Sequence, residues 1–454
     1  MNSTINLPPL VPGLPFIGNG LGLIRGPIEF MAQSYQKIGP VYRLRIPGHE
    51  ITVLAGMDAN RLLMDSADEY FRLSPIYGKL VEETNSELYL PAQDEPEYSY
   101  YRKMIRPRLG RETLAEHLPQ TVRYISDIAQ AWRPGQLINV MELMTRLCIE
   151  IISQSTENTE VGDHLKSIIL FTNRLIGSGV AFQSASLLKR PDYLEAKQNF
   201  EHFLTAIVDR HRQPRAPEIE QNSDFVDLLL NGKTLDGKAL TGHDLLAYVH
   251  LPYVNGVAYA PRISGYLLYE LLKNPELLTK VRKEVDEAFS TGTLDMASLR
   301  KMRWLYGSCM ETLRMYPIAG ALPRYVVKTL NFGGCTIPQG TRVFIAGGVA
   351  HFLPENYPDP FRFDPERYFE PRNEHHTPGA FAPYGLGGRT CLSAGMGESL
   401  IMVIIATLLH ATNLELTSPN FKLKSQIAPI PGPHKRFAVR MLNHRSKEEP
   451  VEAF

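Results

Sequence analysis

The chain has 454 residues, of which 44% are hydrophobic and 21% charged, with 34 Gly and 34 Pro; this is globular composition and excludes a disordered or fibrous protein. Its 48 Lys+Arg balance 48 Asp+Glu, so no global basic field draws it onto nucleic acid or an anionic membrane. Length alone allows about three domains, but no repeat or low-complexity linker divides the sequence, which favours one mixed domain over 1–454.

Cys148, Cys309, Cys335 and Cys391 lie far apart with no CxxC pair. That argues against a zinc ribbon, a Cys-ligated iron–sulfur cluster or a disulfide scaffold, and suits a reducing compartment. The opening MNSTINLPPLVPGLPFIGNG has no basic start and is broken by Pro and Gly, so it makes a poor signal peptide. The longest apolar run, near 400–411, falls short of the roughly 20 residues that span a bilayer. The expectation is a soluble, cytoplasmic protein without an integral membrane segment.

In chain order, FMAQSYQKIG has helical spacing, and VYRLRIPGHEITVLAG alternates like two strands joined at Pro47-Gly48. From about Tyr98 to Leu272 the pattern is helical, with amphipathic stretches at LPQTVRYISDIAQAW, VMELMTRLCIEIISQ, SIILFTNRLI and YLEAKQNFEHFLTAIVDRH. PELLTKVRKEVDEAF and WLYGSCMETLRMY continue it, and GALPRYVVKTLNFGGCTIPQGTRVFIAGG returns to strands. A Pro-rich irregular segment then leads into a last helix, expected from Cys391 to His410. The fold class is mainly α with a smaller β lobe, drawn mostly from about 1–97 and 320–350.

The stretch FAPYGLGGRTCLSAGMGESLIMVIIATLLHA carries the most chemistry. Its Gly-rich turn gathers backbone N–H groups beside Cys391, and both those donors and a helix start favour a thiolate. A thiolate so placed serves as a nucleophile or as an axial ligand to haem iron. The plain alternative is a buried structural thiol.

This stretch resembles the haem-ligand loop of the cytochrome P-450 superfamily, Phe-x-x-Gly-x-Arg-x-Cys-x-Gly, through Tyr384, Gly387, Arg389 and Cys391, with Ser393 at the last Gly. Glu311 and Arg314 in ETLR match the family's Glu-x-x-Arg helix, and Arg367 in PERY matches the arginine that joins that pair. Arg102 matches a helix arginine that bonds a haem propionate, Arg324 stands where a second propionate partner is expected, and Tyr98 stands where many members carry His. The resemblance covers nearly the whole chain. It implies haem b, with Cys391 as the iron ligand, held between the Cys loop and a long central helix.

The same resemblance places Asn255-Gly256-Val257-Ala258-Tyr259 on the family's Ala-Gly-x-(Asp/Glu)-Thr segment. Ala258 and Tyr259 replace the acid and alcohol that organise proton delivery to dioxygen. Pro252 and Pro261 within one helix predict kinking, because an interior proline removes a hydrogen bond and clashes with the preceding turn. Asn255 and Tyr259, four apart on one helix face, either fill space in a distorted buried helix or, as the functional expectation, contact a substrate oxygen directly.

Pocket positions implied by the family are apolar: Ile318, Ala319, Ala321 and Leu322, then Ile427, Ala428, Pro429 and Ile430, which implies a lipophilic substrate. SPIYGKLVEETNSELYLP, expected as a surface loop, adds polar groups. Arg102, Lys103, Arg106 and Arg108 form a local basic cluster, read either as ordinary helix-surface charges with Arg102 turned inward or, as the family implies, as a patch that steers a ferredoxin or flavodoxin electron donor. The expected activity is monooxygenase-type oxidation of a terpenoid, steroid or fatty-acid-like molecule. The alternatives are a haem-thiolate isomerase, dehydratase or peroxide-using enzyme that needs no external electrons, and a non-catalytic haem carrier or sensor.

Overall fold

Pro47 and Gly48 turn the chain between strands Val41–Ile46 and His49–Ala55, which pair antiparallel. Gly48 takes φ +77° there, a conformation glycine adopts without a Cβ penalty. The computed structural model describes residues 6–180, 183–214, 223–290, 292–426 and 430–445. Its chain forms two compact units: Met1–Gly78, Pro91–Glu95 and Leu313–Cys391 make the first, and Lys79–Leu90, Pro96–Thr312 and Leu392–Phe454 the second.

The first unit is built on a five-stranded sheet ordered Val41–Ile46, His49–Ala55, Arg342–Ala346, Leu322–Val326, Phe71–Arg72. The pairing of His49–Ala55 with Arg342–Ala346 is parallel and the others are antiparallel. Because side chains alternate along a strand, Tyr42, Leu44, Val53 and Ala55 enter one core with Ile28 and Met31 of helix Pro27–Ile38. Val41, Leu54, Val343 and Ile345 enter another with Leu63 and Phe71. Both faces of the sheet are therefore covered.

The second unit is helical. Helix Val140–Glu157 starts where the Asn139 side chain accepts from the Glu142 N–H, and ends at Asn158 in the left-handed region. Helix Pro275–Phe289 starts with Asn274 as cap and Pro275 in its first turn. Helix Ala394–Ala411 is apolar on all sides, which marks a buried core helix, and it packs on helices Leu118–Gln130, Ala260–Lys273 and Pro275–Phe289. It is the one described helix long and apolar enough to cross a membrane, yet 67% of it is buried inside the protein. Each of its buried Leu, Ile or Val side chains contributes about 1.5–3 kcal/mol, and truncating the fully buried Ile404 to Ala would cost about 2–5 kcal/mol.

Two expectations change. The last helix begins at Ala394, three residues after Cys391, because the glycine turn and Cys391 use their backbone in a tighter loop. The segment at 74–84 is helix, not loop, since Ile76, Leu80 and their neighbours recur at helical spacing. The proline-bearing helix is interrupted at both prolines, as Gly242–Val249, Leu251–Ala258 and Ala260–Lys273 rather than one unbroken element. Pro252 and Pro261 each fall in the first turn of their own helix, where proline's fixed φ is accommodated.

Candidate functional site

In the first unit, residues 384–391 form a closed loop in which the Cys391 N–H donates to Tyr384 O at 2.8 Å. Gly385 and Gly387 take φ +73° and +68°. A Cβ on Gly387 would stand 2.4 Å from Leu63 O, so only glycine lets the loop lie against the helix Met57–Asp65. Thr390 Oγ1 donates to Gly387 O at 2.8 Å and tightens the turn. Arg389 donates from Nη1 to Gln93 O at 2.7 Å, with Nη2 3.6 Å from Asp94 Oδ1. The arginine thus ties the loop to segment 91–95.

Cys391 is half-buried, whereas Cys148, Cys309 and Cys335 are buried. Burial pushes the Cys148 and Cys309 thiols well up, which disfavours their thiolates as ligands. Arg324, on strand Leu322–Val326, is 5% exposed and donates to Pro323 O at 2.8 Å. A small apolar recess beside the Cys loop is lined by Leu63, Ala319, Leu322, Ile345 and Leu386, among others. A half-buried sulfur and a buried guanidinium are the donor chemistry that suits haem iron and a propionate.

A histidine that sequence reasoning missed braces the chain just before this loop. His351 is fully buried; its Nε2 accepts from the Ala382 N–H at 2.8 Å and its Nδ1 lies 3.0 Å from Arg314 O. Arg314 returns a bond from Nη1 to His351 O at 2.6 Å. Burial, then the Arg314 charge, lowers the His351 pKa to about 3, so the ring is neutral and Nε2 stays an acceptor. Arg367 donates to Pro358 O and Asp359 O and pairs with Glu374 Oε2 at 2.9 Å. Glu311, Arg314 and Arg367 are all essentially buried.

In the second unit, Arg102 Nη1 donates to Tyr98 Oη at 3.0 Å, one helical turn away on Glu97–Ile105. Asn255 Nδ2 donates to Ser393 Oγ at 3.2 Å. Ala258 is buried and Tyr259, at the junction between helices, is 38% exposed. Asn255 and Tyr259 therefore sit on either side of a helix end. Pro261 has no N–H to give Val257 O, and the Arg262 N–H goes to Tyr259 O, so the carbonyls of Val257 and Ala258 lose their ladder partners. The Arg262 side chain replaces them, Nη1 donating to Val257 O at 2.6 Å and to Ala258 O at 2.8 Å. Burial lowers the Arg262 pKa to about 10, and the guanidinium stays charged.

Tyr253 pins the same segment to helix Val140–Glu157, its hydroxyl donating to Glu157 Oε2 at 2.5 Å and lying 2.8 Å from Ser153 Oγ. Burial raises the Glu157 pKa well above the usual carboxylate range. Of the pocket positions, Ile318 and Ala321 are half-buried and Ile430 is buried, while Ile427, Ala428 and Pro429 lie outside the described residues. In the basic cluster Lys103 and Arg106 are exposed, and Arg108 pairs with Glu116 at 3.1 Å.

A glycine-bounded cysteine loop in a sheet unit, in a chain whose helical unit has an interrupted central helix, defines a haem-thiolate type of architecture. The cytochrome P450 family model matches residues 8–435, through both units, and the chain belongs to that family. It is 26% identical to taxane 10-beta-hydroxylase of Taxus cuspidata, over 97% of this chain and 90% of that protein. It is 23% identical to cyclooctat-9-en-7-ol 5-monooxygenase of Streptomyces melanosporofaciens, over 87% of each, and 23% identical to mouse (Mus musculus) lanosterol 14-alpha demethylase, over 91% of this chain and 83% of that one. Among solved structures, retinoic acid bound cyanobacterial CYP120A1 superposes with TM-score 0.79 at 21% identity, covering 98% of this chain and 100% of that one. The cytochrome P450DA heme domain superposes with TM-score 0.83 at 18% identity, covering 98% and 99%. The chain is an enzyme of the haem-thiolate class, and its family binds haem through a cysteine thiolate.

Proposed function

We propose that the protein is a single-domain haem-thiolate monooxygenase of a lipophilic small molecule, with Cys391 as the iron ligand. The observation that carries the ligand assignment is the loop itself: Cys391 alone among the four cysteines is half-buried in a turn that Gly387 must keep open. Bound haem supplies the oxidation, thiolate ligation favouring O–O cleavage. Arg324 and Arg102 serve propionates, Tyr98 orients Arg102, Arg389 fixes the loop, and Tyr384 shields the sulfur. Relatives named for a taxane, a cyclic terpenoid alcohol and lanosterol support a terpenoid or sterol-like substrate.

Asn255 and Tyr259 hold a polar group of the substrate, so that the substrate helps organise the protons that Ala258 cannot relay. Members of the family usually take electrons from redox partners. Here exposed Lys103 and Arg106 steer an acidic ferredoxin or flavodoxin, in the cytoplasm. A second reading, rearrangement of a substrate without external electrons, draws support from Ala258 at the usual acid position. Substrate consumption with and without reduced ferredoxin tests both. Full-rate product formation without reductant, with no label from labelled dioxygen, replaces the first reading by the second.

A further inference from the structure

His250 stands immediately before helix Leu251–Ala258 and is 2% exposed. Three aromatic rings from three separate segments of the second unit surround it: Tyr89 stacks at 6.4 Å between centroids, and Phe171 and Phe200 meet it edge-on at 5.4 Å each. Phe171 lies on helix Leu165–Gly179 and Phe200 on helix Pro191–Arg212. Among the described residues, neither Nδ1 nor Nε2 has a hydrogen-bond partner. A buried imidazole with both nitrogens unused is costly, because each polar atom has given up water without return. Tyr248, two residues earlier, likewise buries a hydroxyl without a partner among the described residues.

We propose that His250 is the recognition point for an uncharged hydroxyl on the substrate, in an aromatic box that accepts one end of a lipophilic ring system. A neutral imidazole offers one donor and one acceptor, the complement of a hydroxyl. The surrounding rings carry no formal charge to balance an imidazolium, and burial lowers the His250 pKa to about 4, so the ring meets its ligand neutral and a carboxylate finds no cation. The eight residues of helix Leu251–Ala258 put His250 about 12 Å along the axis from Ala258, at roughly 1.5 Å per residue. The box therefore reads the end of the molecule remote from the carbon that is oxidised. This inference rests on the reading of the chain as an oxidoreductase of lipophilic molecules.

The test uses haem-loaded full-length protein and a matched series: a tricyclic diterpene hydrocarbon, its primary alcohol and its carboxylic acid. Binding is read from the change in the haem absorption spectrum. The wild type is expected to bind the alcohol about tenfold more tightly than the hydrocarbon, His250→Phe to shrink that ratio to within about threefold, and His250→Gln, which keeps a donor and an acceptor, to retain most of it. A wild-type ratio near one overturns the proposal without any variant, as does an unchanged ratio in His250→Phe. Tightest binding by the acid overturns the uncharged class, and no binding by all three overturns the box as a site for molecules of this length. The carbon monoxide spectrum of the same wild-type sample reports independently on the haem-thiolate reading, so the two failures are distinguishable.

Discussion

Asn255 donates to Ser393 at 3.2 Å, and these are two positions at which the chain departs from the family pattern it resembles. An asparagine stands where Ala is usual, a serine where Gly is usual, and the two departures answer each other. The bond joins the broken central helix to the residue two beyond Cys391. A partly buried neutral hydrogen bond of this kind contributes about 1 kcal/mol. Asn255→Ala and Ser393→Gly should each lower stability by about that amount. The double variant should cost little more than either single one, and a denaturant-melt cycle measures the coupling. Full additivity of the two would show that they act separately.

Cys391→Ala should abolish the long-wavelength carbon monoxide band of the reduced protein, whereas Cys148→Ala, Cys309→Ala and Cys335→Ala should keep it. The three latter thiols are buried, and removing them costs packing alone. A band surviving in Cys391→Ala would falsify the ligand assignment.

Glu311, Arg314 and Arg367 are buried, and a buried charge whose partner is removed is left uncompensated at about 3–5 kcal/mol. Arg367→Ala should cost the most, since it also strands Glu374 and the carbonyls of Pro358 and Asp359. Little haem-loaded protein should be recovered from either Glu311→Ala or Arg367→Ala. Normal yield and melting of both variants would refute a structural role for these charges.

The parts of this architecture that repeat a period or a spacing were readable from sequence. Alternation around Pro47-Gly48 gave the hairpin, and helical spacing gave Leu118–Gln130, Val140–Glu157 and Pro275–Phe289 nearly to the residue. What sequence could not show were pairings between residues far apart in the chain. His351 reaches Arg314 and Ala382, and no local signal marks a lone histidine as such a brace. Arg262 was legible in part: Pro261 frees the carbonyl four residues back, and a long donor next to that proline is the signal that was passed over. Pro252 and Pro261 mark where the helix is interrupted, and since a proline suits a first turn while it disfavours an interior, each opens a new helical segment.

Acid should destabilise the protein through its buried histidines. His351 and His250 have pKa values lowered by burial to about 3 and about 4, below the unfolded value of about 6.5. The unfolded chain therefore binds protons first as pH falls. The stability gained from keeping the rings neutral is complete above about pH 6.5 and is lost progressively toward pH 3–4, at up to about 1.4 kcal/mol per pH unit for each histidine. His351→Gln should flatten the slope between pH 6 and 4 by about one proton. Denaturant melts across that range measure it, and an unchanged slope would show that His351 does not take up a proton on unfolding.

The junction at Tyr259 decides how the distal residues work, and Arg262 holds that junction. Removing the guanidinium strands the carbonyls of Val257 and Ala258, each at about 1–3 kcal/mol when buried, so Arg262→Met should destabilise while keeping most of the side-chain volume. Arg262→Lys supplies one ammonium in place of a planar fork and should recover only part of the loss. With the junction intact, Tyr259→Phe removes one hydroxyl and should slow turnover while leaving haem content and the carbon monoxide band unchanged. Installing Ala258→Asp with Tyr259→Thr should improve the fraction of electrons that end in product if dioxygen is the oxidant and proton delivery is limiting. Loss of turnover in Arg262→Met at full haem content and unchanged melting would mean that the arginine meets the substrate itself. Equal falls in stability and turnover, partly restored in Arg262→Lys, are what a brace for Ala258 and Tyr259 predicts.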